Sequence, residues 1–135
     1  MTGVNAAELL AEARRAAQRA YAPYSKFRVG AVAVDTDGNH FVGVNVENAA
    51  FGATICAEAS AIVAAASAGA RHLSSIAVVC LDGVDCYPCG NCRQMLREFE
   101  AAEVIVEDSS GTPRVHTLEE LLPHSFGPEA LEFGT

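Results

Sequence analysis

The chain has 135 residues, half of them hydrophobic, and carries 17 acidic against 9 basic side chains, for a formal charge of −8. That is enough apolar material for one packed domain, and too little charge for a disordered chain. The acidic balance excludes a basic groove for long nucleic acid and gives no attraction to an anionic membrane.

Taken in chain order, Asn5 followed by Glu8 reads as a capping box. Leu9, Ala13, Ala16, Ala17 and Ala20 then keep helical spacing, which predicts a helix from about Ala6 to Ala20, closed off by Pro23. "KFRVGAVAVD" and "HFVGVNV" read as two strands, and "DTDGN" (Asp35 to Asn39) as the turn that makes them a hairpin. An alanine-rich helix follows from about Thr54, its candidate cap, to Gly69. "SIAVVCL" (Ser75 to Leu81) is a continuous apolar run, expected as a buried strand. "GNCRQMLREF" reads as a helix entered through Pro88, and "EVIVED" as a further strand. "TLEELL" reads as a short helix in which Thr117 and Glu120 form a capping box. The order α-β-β-α-β-α-β-α predicts a mixed or partly parallel sheet with helices packed on it.

The most apolar segment, Ala59 to Ala70, falls short of the roughly 20 residues that a membrane span needs. The N-terminal stretch lacks the basic-then-apolar order of a secretory signal. One soluble, cytoplasmic domain over residues 1–135 is therefore expected, and five cysteines in that setting point to metal or catalysis rather than a disulfide frame.

Those cysteines are Cys56, Cys80, Cys86, Cys89 and Cys92. "PCGNC" (Pro88 to Cys92) puts Cys89 and Cys92 three apart at a helix start, where backbone N–H groups and the helix dipole stabilise thiolates. Cys56 sits at another helix start, in "TICAEAS", with Glu58 two residues on. Three thiolates from Cys56, Cys89 and Cys92 would leave a fourth zinc position for water, with Glu58 beside it to manage protons. Cys-x-Glu followed by Pro-Cys-x-x-Cys is the signature of zinc deaminases. Two alternatives stay open at this point: a redox pair at Cys89 and Cys92, and a closed structural site with Cys86 or Cys80 as fourth ligand. Cys80 fits a small buried hydrophobe. His40, His72, His116 and His124 have no ligand spacing and read as surface or packing residues.

The chain also resembles the small, homotetrameric cytidine deaminases. "YAPYSKFRVGAV" (Tyr21 to Val32), "GVNVENAAFG" (Gly43 to Gly52), "CAE" (Cys56 to Glu58), "PCGNCRQMLREF" (Pro88 to Phe99) and "LLPHSFG" (Leu121 to Gly127) carry the resemblance, in the family's order. It implies an α/β fold, a three-layer α/β/α sandwich around a mixed five-stranded sheet. The fifth strand would fall near the C-terminus or in "HTLEE", where periodicity does not place it. It also implies one Zn2+ per chain, a pyrimidine nucleoside substrate, and a homotetramer with sites near subunit interfaces. Carried over by position, Cys56, Cys89 and Cys92 are the metal ligands and Glu58 the catalytic proton carrier. Asn45 and Glu47 take the ribose hydroxyls, and Phe27 lines the pyrimidine pocket. Ala57 contacts the base through its backbone, Phe126 reaches a neighbouring subunit's site, and Tyr24 helps close the site.

Two positions depart from the pattern. Ala59 stands where the family commonly has arginine, which leaves helix dipoles and backbone N–H groups to balance three thiolates, with Arg93 as the candidate substitute. Phe51 stands where tyrosine is common, so any contact needing that hydroxyl is missing. A deaminase of the same class acting on a cytosine-containing antibiotic such as blasticidin S is the nearest rival reading. A structural-zinc interaction module is the rival from another class.

Overall fold

A computed structural model describes residues 5–83 and 85–131. Helix α1 spans Ala6–Ala17, followed by strands β1 (Val29–Asp35) and β2 (His40–Val44). Helix α2 covers Ala57–Ser67 and leads to β3 (Leu73–Cys80). Then come α3 (Gly90–Glu98), β4 (Glu103–Glu107), β5 (Pro113–Thr117) and the short α4 (Leu118–Leu121).

The strands form one sheet in the order β2-β1-β3-β4-β5. Only β3 and β4 run parallel; the other neighbours are antiparallel. This is the mixed five-stranded sheet that the resemblance implies. Its fifth strand is "PRVHT", which overlaps "HTLEE" only at its end. A strand on the edge can begin with proline, because that position needs no ladder N–H.

Alternation along the central strands sorts the core into two layers. Val32, Val34, Ala77, Val79 and Ile105 meet Leu9, Leu10 and Ala13 of α1 on one face. Val29, Ala31, Ala33, Ile76, Val78, Val104 and Val106 meet α2, α3 and α4 on the other, through Ala61, Ile62, Leu96 and Leu118. β1 is buried along its whole length, as a strand covered on both faces must be. The three layers are therefore α1, the sheet, and the α2–α3–α4 side.

Two glycines bring helices unusually close to the sheet. A Cβ at Gly30 would lie 2.1 Å from the Ala13 carbonyl oxygen of α1. A Cβ at Gly43 would lie 2.3 Å from the Ala61 nitrogen and 2.6 Å from the Ala57 carbonyl oxygen of α2. The second contact seats the first turn of α2, and with it Glu58, directly on β2.

Element boundaries differ from the sequence-based expectations in explicable ways. Asn5 does cap α1, accepting from the Glu8 amide at 3.1 Å, but the helix stops at Ala17. Thr54 does not cap α2. Its hydroxyl accepts from the Asn48 amide, and Cys56 takes the N-cap position without a side-chain cap bond. The Thr117–Glu120 capping box is present as expected.

Candidate active site

Cys56 and Cys89 are the N-cap residues of α2 and α3, so two helix N-termini meet at one point. The sulfurs of Cys56, Cys89 and Cys92 all lie within 4.8 Å of one another, and Cys56 Sγ is 4.0 Å from Cys89 Sγ. A tetrahedral zinc site with bonds of about 2.3 Å spaces its sulfurs roughly 3.8 Å apart. The Cys56–Cys89 pair is within about 0.2 Å of that spacing and no pair needs more than about 1 Å of closure, so the donor set fits zinc in both chemistry and spacing. Among the described residues it is the one cluster of three such ligands. Cys80 and Cys86 lie outside it, which argues against a closed four-cysteine site. Cys80 is buried in the core as expected.

The electrostatics of the triad favour a cation. Burial and the neighbouring charges of Cys89 and Glu58 push the Cys56 thiol up. Burial, followed by Glu58 and Cys56, pushes Cys92 up as well. Burial would raise Cys89 too, but hydrogen bonds from the Cys92 backbone and neighbouring groups hold it below its ordinary value. Three adjacent sulfurs resist becoming thiolates together, and a divalent ion removes that resistance. The N-terminal N–H groups of α2 and α3 add partial positive charge. Among the described residues Arg93 pairs with no carboxylate. It donates to the carbonyls of Pro88 and Leu121, each at 2.7 Å, bracing the residue just before Cys89.

Glu58 is the second residue of α2 and is only 5% exposed. Burial pushes its carboxyl above the ordinary range. Ala57, the first residue of the helix, is also buried, and its N–H belongs to the unpaired first turn.

The "NVEN" stretch is fastened beside this centre. Val46 exchanges backbone hydrogen bonds with Ile55, at 3.0 and 2.9 Å, and Ile55 immediately precedes Cys56. Tyr21 pairs on the other side, with its N–H donating to the Asn45 carbonyl and its carbonyl accepting from Glu47. Asn45 is buried, and its amide bridges two backbone groups: Nδ2 donates to the Phe27 carbonyl at 2.8 Å, and Oδ1 accepts from the Val29 N–H at 2.9 Å. One amide proton and one lone pair remain for a ligand. Glu47 accepts from the N–H groups of Tyr24 and Ser25, at 2.9 and 3.1 Å, and from the Ser25 hydroxyl. The Ser25 hydroxyl and amide hold the Glu47 carboxylate below its usual range.

Glu47 lines an open cleft of about 460 Å³ together with Tyr24, Ser25, Asn48, Phe51 and Thr54. Tyr24 and Phe51 meet edge-on across it at 6.1 Å. Phe27 stands 40% exposed, its ring against the Gly83 backbone. Phe126 is 59% exposed on the C-terminal segment, away from these residues' hydrogen-bond network. That segment is held by α3: Gln94 donates to the Phe126 carbonyl at 2.8 Å, and Arg97 pairs with Ser125 and Glu129. Ser25, Gln94 and Arg97 went unassigned in the sequence. Ser25 sat inside a quoted motif, but its partner Glu47 is 22 residues away, so no local spacing marks it.

Three clustered cysteine sulfurs able to hold a metal ion, with the buried Glu58 close by on a three-layer α/β/α frame, suit a hydrolytic metal enzyme. Comparisons narrow this. Residues 4–108 match the family model for the cytidine and deoxycytidylate deaminase zinc-binding region. The chain is 42% identical over 123 residues to a cytidine deaminase of Mycobacterium tuberculosis H37Rv, covering 91% of this chain and 90% of that one. It is 39% identical over 128 residues to a cytidine deaminase of Sporosarcina psychrophila, covering 93% and 94%. The crystal structure of cytidine deaminase from Burkholderia pseudomallei superposes with a TM-score of 0.83 at 42% identity, covering 93% of this chain and all of that one. The chain belongs to the cytidine and deoxycytidylate deaminase family.

Proposed function

We propose that the protein hydrolyses the C4 amino group of cytidine and deoxycytidine, giving uridine or deoxyuridine and ammonia. The observation that carries this reading is the triad of Cys56, Cys89 and Cys92 beside the buried Glu58, in a chain whose relatives are cytidine deaminases. Residues 1–135 act as a single catalytic domain with one zinc per chain.

Cys56, Cys89 and Cys92 hold the ion through their sulfurs. Zinc bound there supplies Lewis acidity that makes a water molecule a ready nucleophile near neutral pH. Glu58 receives the proton that this water gives up and delivers it to N3 of the base, which makes C4 electrophilic. The water oxygen bonds to C4, and Glu58 takes the remaining proton from that oxygen to the exocyclic amino group, which leaves as ammonia while C4 becomes a carbonyl. The balance is one nucleoside and one water in, one uracil nucleoside and one ammonia out. Glu58 is not a ligand in this scheme, because it must gain and lose a proton in each cycle.

Glu47 and Asn45 hold the ribose hydroxyls, Glu47 as a charged acceptor already oriented by Ser25. Phe27 packs against the pyrimidine ring, and Ala57 offers its helix-start N–H to the base. Phe126 completes the site of a neighbouring copy in a homotetramer. Apolar side chains left open in the single chain support this assembly: Tyr24 and Phe51 at the cleft, Ile55 beside Cys56, and Phe126 on the C-terminal segment are all more than 45% exposed. No helix among the described residues is long and apolar enough to cross a membrane, and we place the enzyme in the cytoplasm.

The test is loss of absorbance on mixing zinc-quantified protein with cytidine, deoxycytidine, cytosine, CMP and blasticidin S in parallel. Turnover of the two nucleosides is expected. Turnover of blasticidin S alone would move the protein to an antibiotic-deaminating role. No turnover of any of them would contradict the reading.

A further inference from the structure

We infer that Arg28, Asp82 and Gly83 are positioning residues for the reaction, clamping the Phe27 ring against the segment that follows β3. This rests on the proposed role of Phe27 as a wall of the pyrimidine pocket.

Phe27 and Asp82 belong to segments far apart in the chain. Phe27 follows Lys26, whose φ of 62° lies in the left-handed region, and precedes β1. Asp82 lies two residues beyond the end of β3. Arg28 closes the gap with three hydrogen bonds to the Asp82 carboxylate. Its backbone N–H and Nε donate to Oδ2 at 2.9 and 3.0 Å, and a terminal nitrogen donates to Oδ1 at 3.0 Å. The Leu81 N–H donates back to the Arg28 carbonyl at 2.9 Å. The β1–β3 pairing is thereby carried one step past the strands, and the clamp has both a backbone and a side-chain half.

Gly83 is the seat for the ring. A Cβ there would lie 2.8 Å from Phe27 Cε1 and 3.4 Å from Cζ. A methyl group would therefore push the ring off. The other flank of Phe27 is tied as well: its N–H donates to Ser25 Oγ at 3.0 Å, and its carbonyl accepts from Asn45. The backbone of the pocket wall is fixed on each side, and only the outward part of the ring is free.

One clamp thus ties the aromatic wall to the end of β3. The side chains of Arg28 and Asp82 are 44% and 28% exposed. A pair so open to solvent adds little to global stability. What a forked guanidinium–carboxylate contact supplies is fixed geometry. Its loss should appear in substrate placement before it appears in melting.

The experiment compares the parent with Asp82→Ala, Asp82→Asn and Gly83→Ala. It reads KM and kcat for cytidine, zinc per chain, thermal melting, and amide exchange over residues 27–29 and 81–83. Asp82→Ala and Gly83→Ala are expected to raise KM about tenfold or more with a smaller fall in kcat, the pattern of lost substrate positioning. Zinc content and melting should stay at the parent's values, and Asp82→Asn, which keeps an acceptor for the Arg28 N–H, should recover part of the loss. Parental KM in both Asp82→Ala and Gly83→Ala would overturn the inference. So would a fall in activity that merely follows lost zinc or a lowered melting point. If the parent itself turns over no cytidine, the proposed function fails on its own. The exchange data then decide the clamp: faster exchange in Asp82→Ala supports it, and unchanged exchange overturns it.

Discussion

Replacing Gly43 with alanine probes how closely α2 must sit on the sheet. The new Cβ would lie 2.3 Å from the Ala61 nitrogen, 2.6 Å from the Ala57 carbonyl oxygen and 2.9 Å from Ala61 Cα. All three are backbone atoms, so no rotamer change relieves the clash. Against an ordinary contact of 3.4 Å the shortfall is about 1 Å, and the helix must move by roughly that much. Overpacking of this kind costs about 1–3 kcal/mol. A less flexible unfolded chain offsets about 0.4–1 kcal/mol of it. A net cost of roughly 1–2 kcal/mol corresponds to a melting point about 3–10 °C lower. The displaced turn carries Cys56 at its cap and Glu58 in its second position, so activity should fall as well, by up to about a hundredfold for a shift near 1 Å. Thermal unfolding by circular dichroism and steady-state deamination read the two effects. Gly52→Ala is the control for melting, because a Cβ there meets nothing within 4 Å. If Gly43→Ala melts and turns over like the parent, the argument that this glycine sets the height of α2 is wrong.

Cys92→Ser should lower zinc, measured by atomic emission, well below one per chain, because it removes one of three sulfurs that are already close to tetrahedral spacing; retention of stoichiometric zinc would contradict the ligand assignment. The acid limb of stability should depend on Asp108. Hydrogen bonds from Ser110, then Thr112 and Arg114, hold that carboxyl down to about 2. Since its folded value lies below the unfolded value of about 3.9, its contribution is present above pH ~4 and is lost as pH falls toward 2. Melting against pH should therefore fall less steeply between pH ~4 and ~2 in Asp108→Asn than in the parent; parallel curves would refute this.

The central parts of the fold were legible because they rest on local pattern. β1 and β3 are continuous apolar runs and are buried on both faces. The Asn5 and Thr117 caps use partners three residues away. β5 was not legible. It starts with Pro113, its one strongly apolar residue Val115 is half exposed, and it is held by pairing with β4 and by a contact between His116 and the distant Tyr87. The start of α2 misled for a related reason. Thr54 is a good cap by type, but Asn48 already uses its hydroxyl, whereas Cys56 caps a helix whose first turn faces the metal site. The metal triad was readable from residue type and order alone. The contacts that orient the pocket were not, since Ser25 with Glu47, Asn45 with Phe27, and Arg28 with Asp82 join residues 18 to 54 apart. Pairings at such separations leave no periodic trace in one sequence.

Glu58→Gln tests the account most directly, because it keeps the size of the side chain and removes only its ability to carry a proton. Zinc per chain and kcat for cytidine should be measured on the same preparation, beside the parent. Zinc should remain at one per chain while kcat falls by about 10²–10⁴. Parental turnover in Glu58→Gln would contradict the proposed mechanism, and loss of zinc would show that Glu58 serves the metal site rather than the proton transfers.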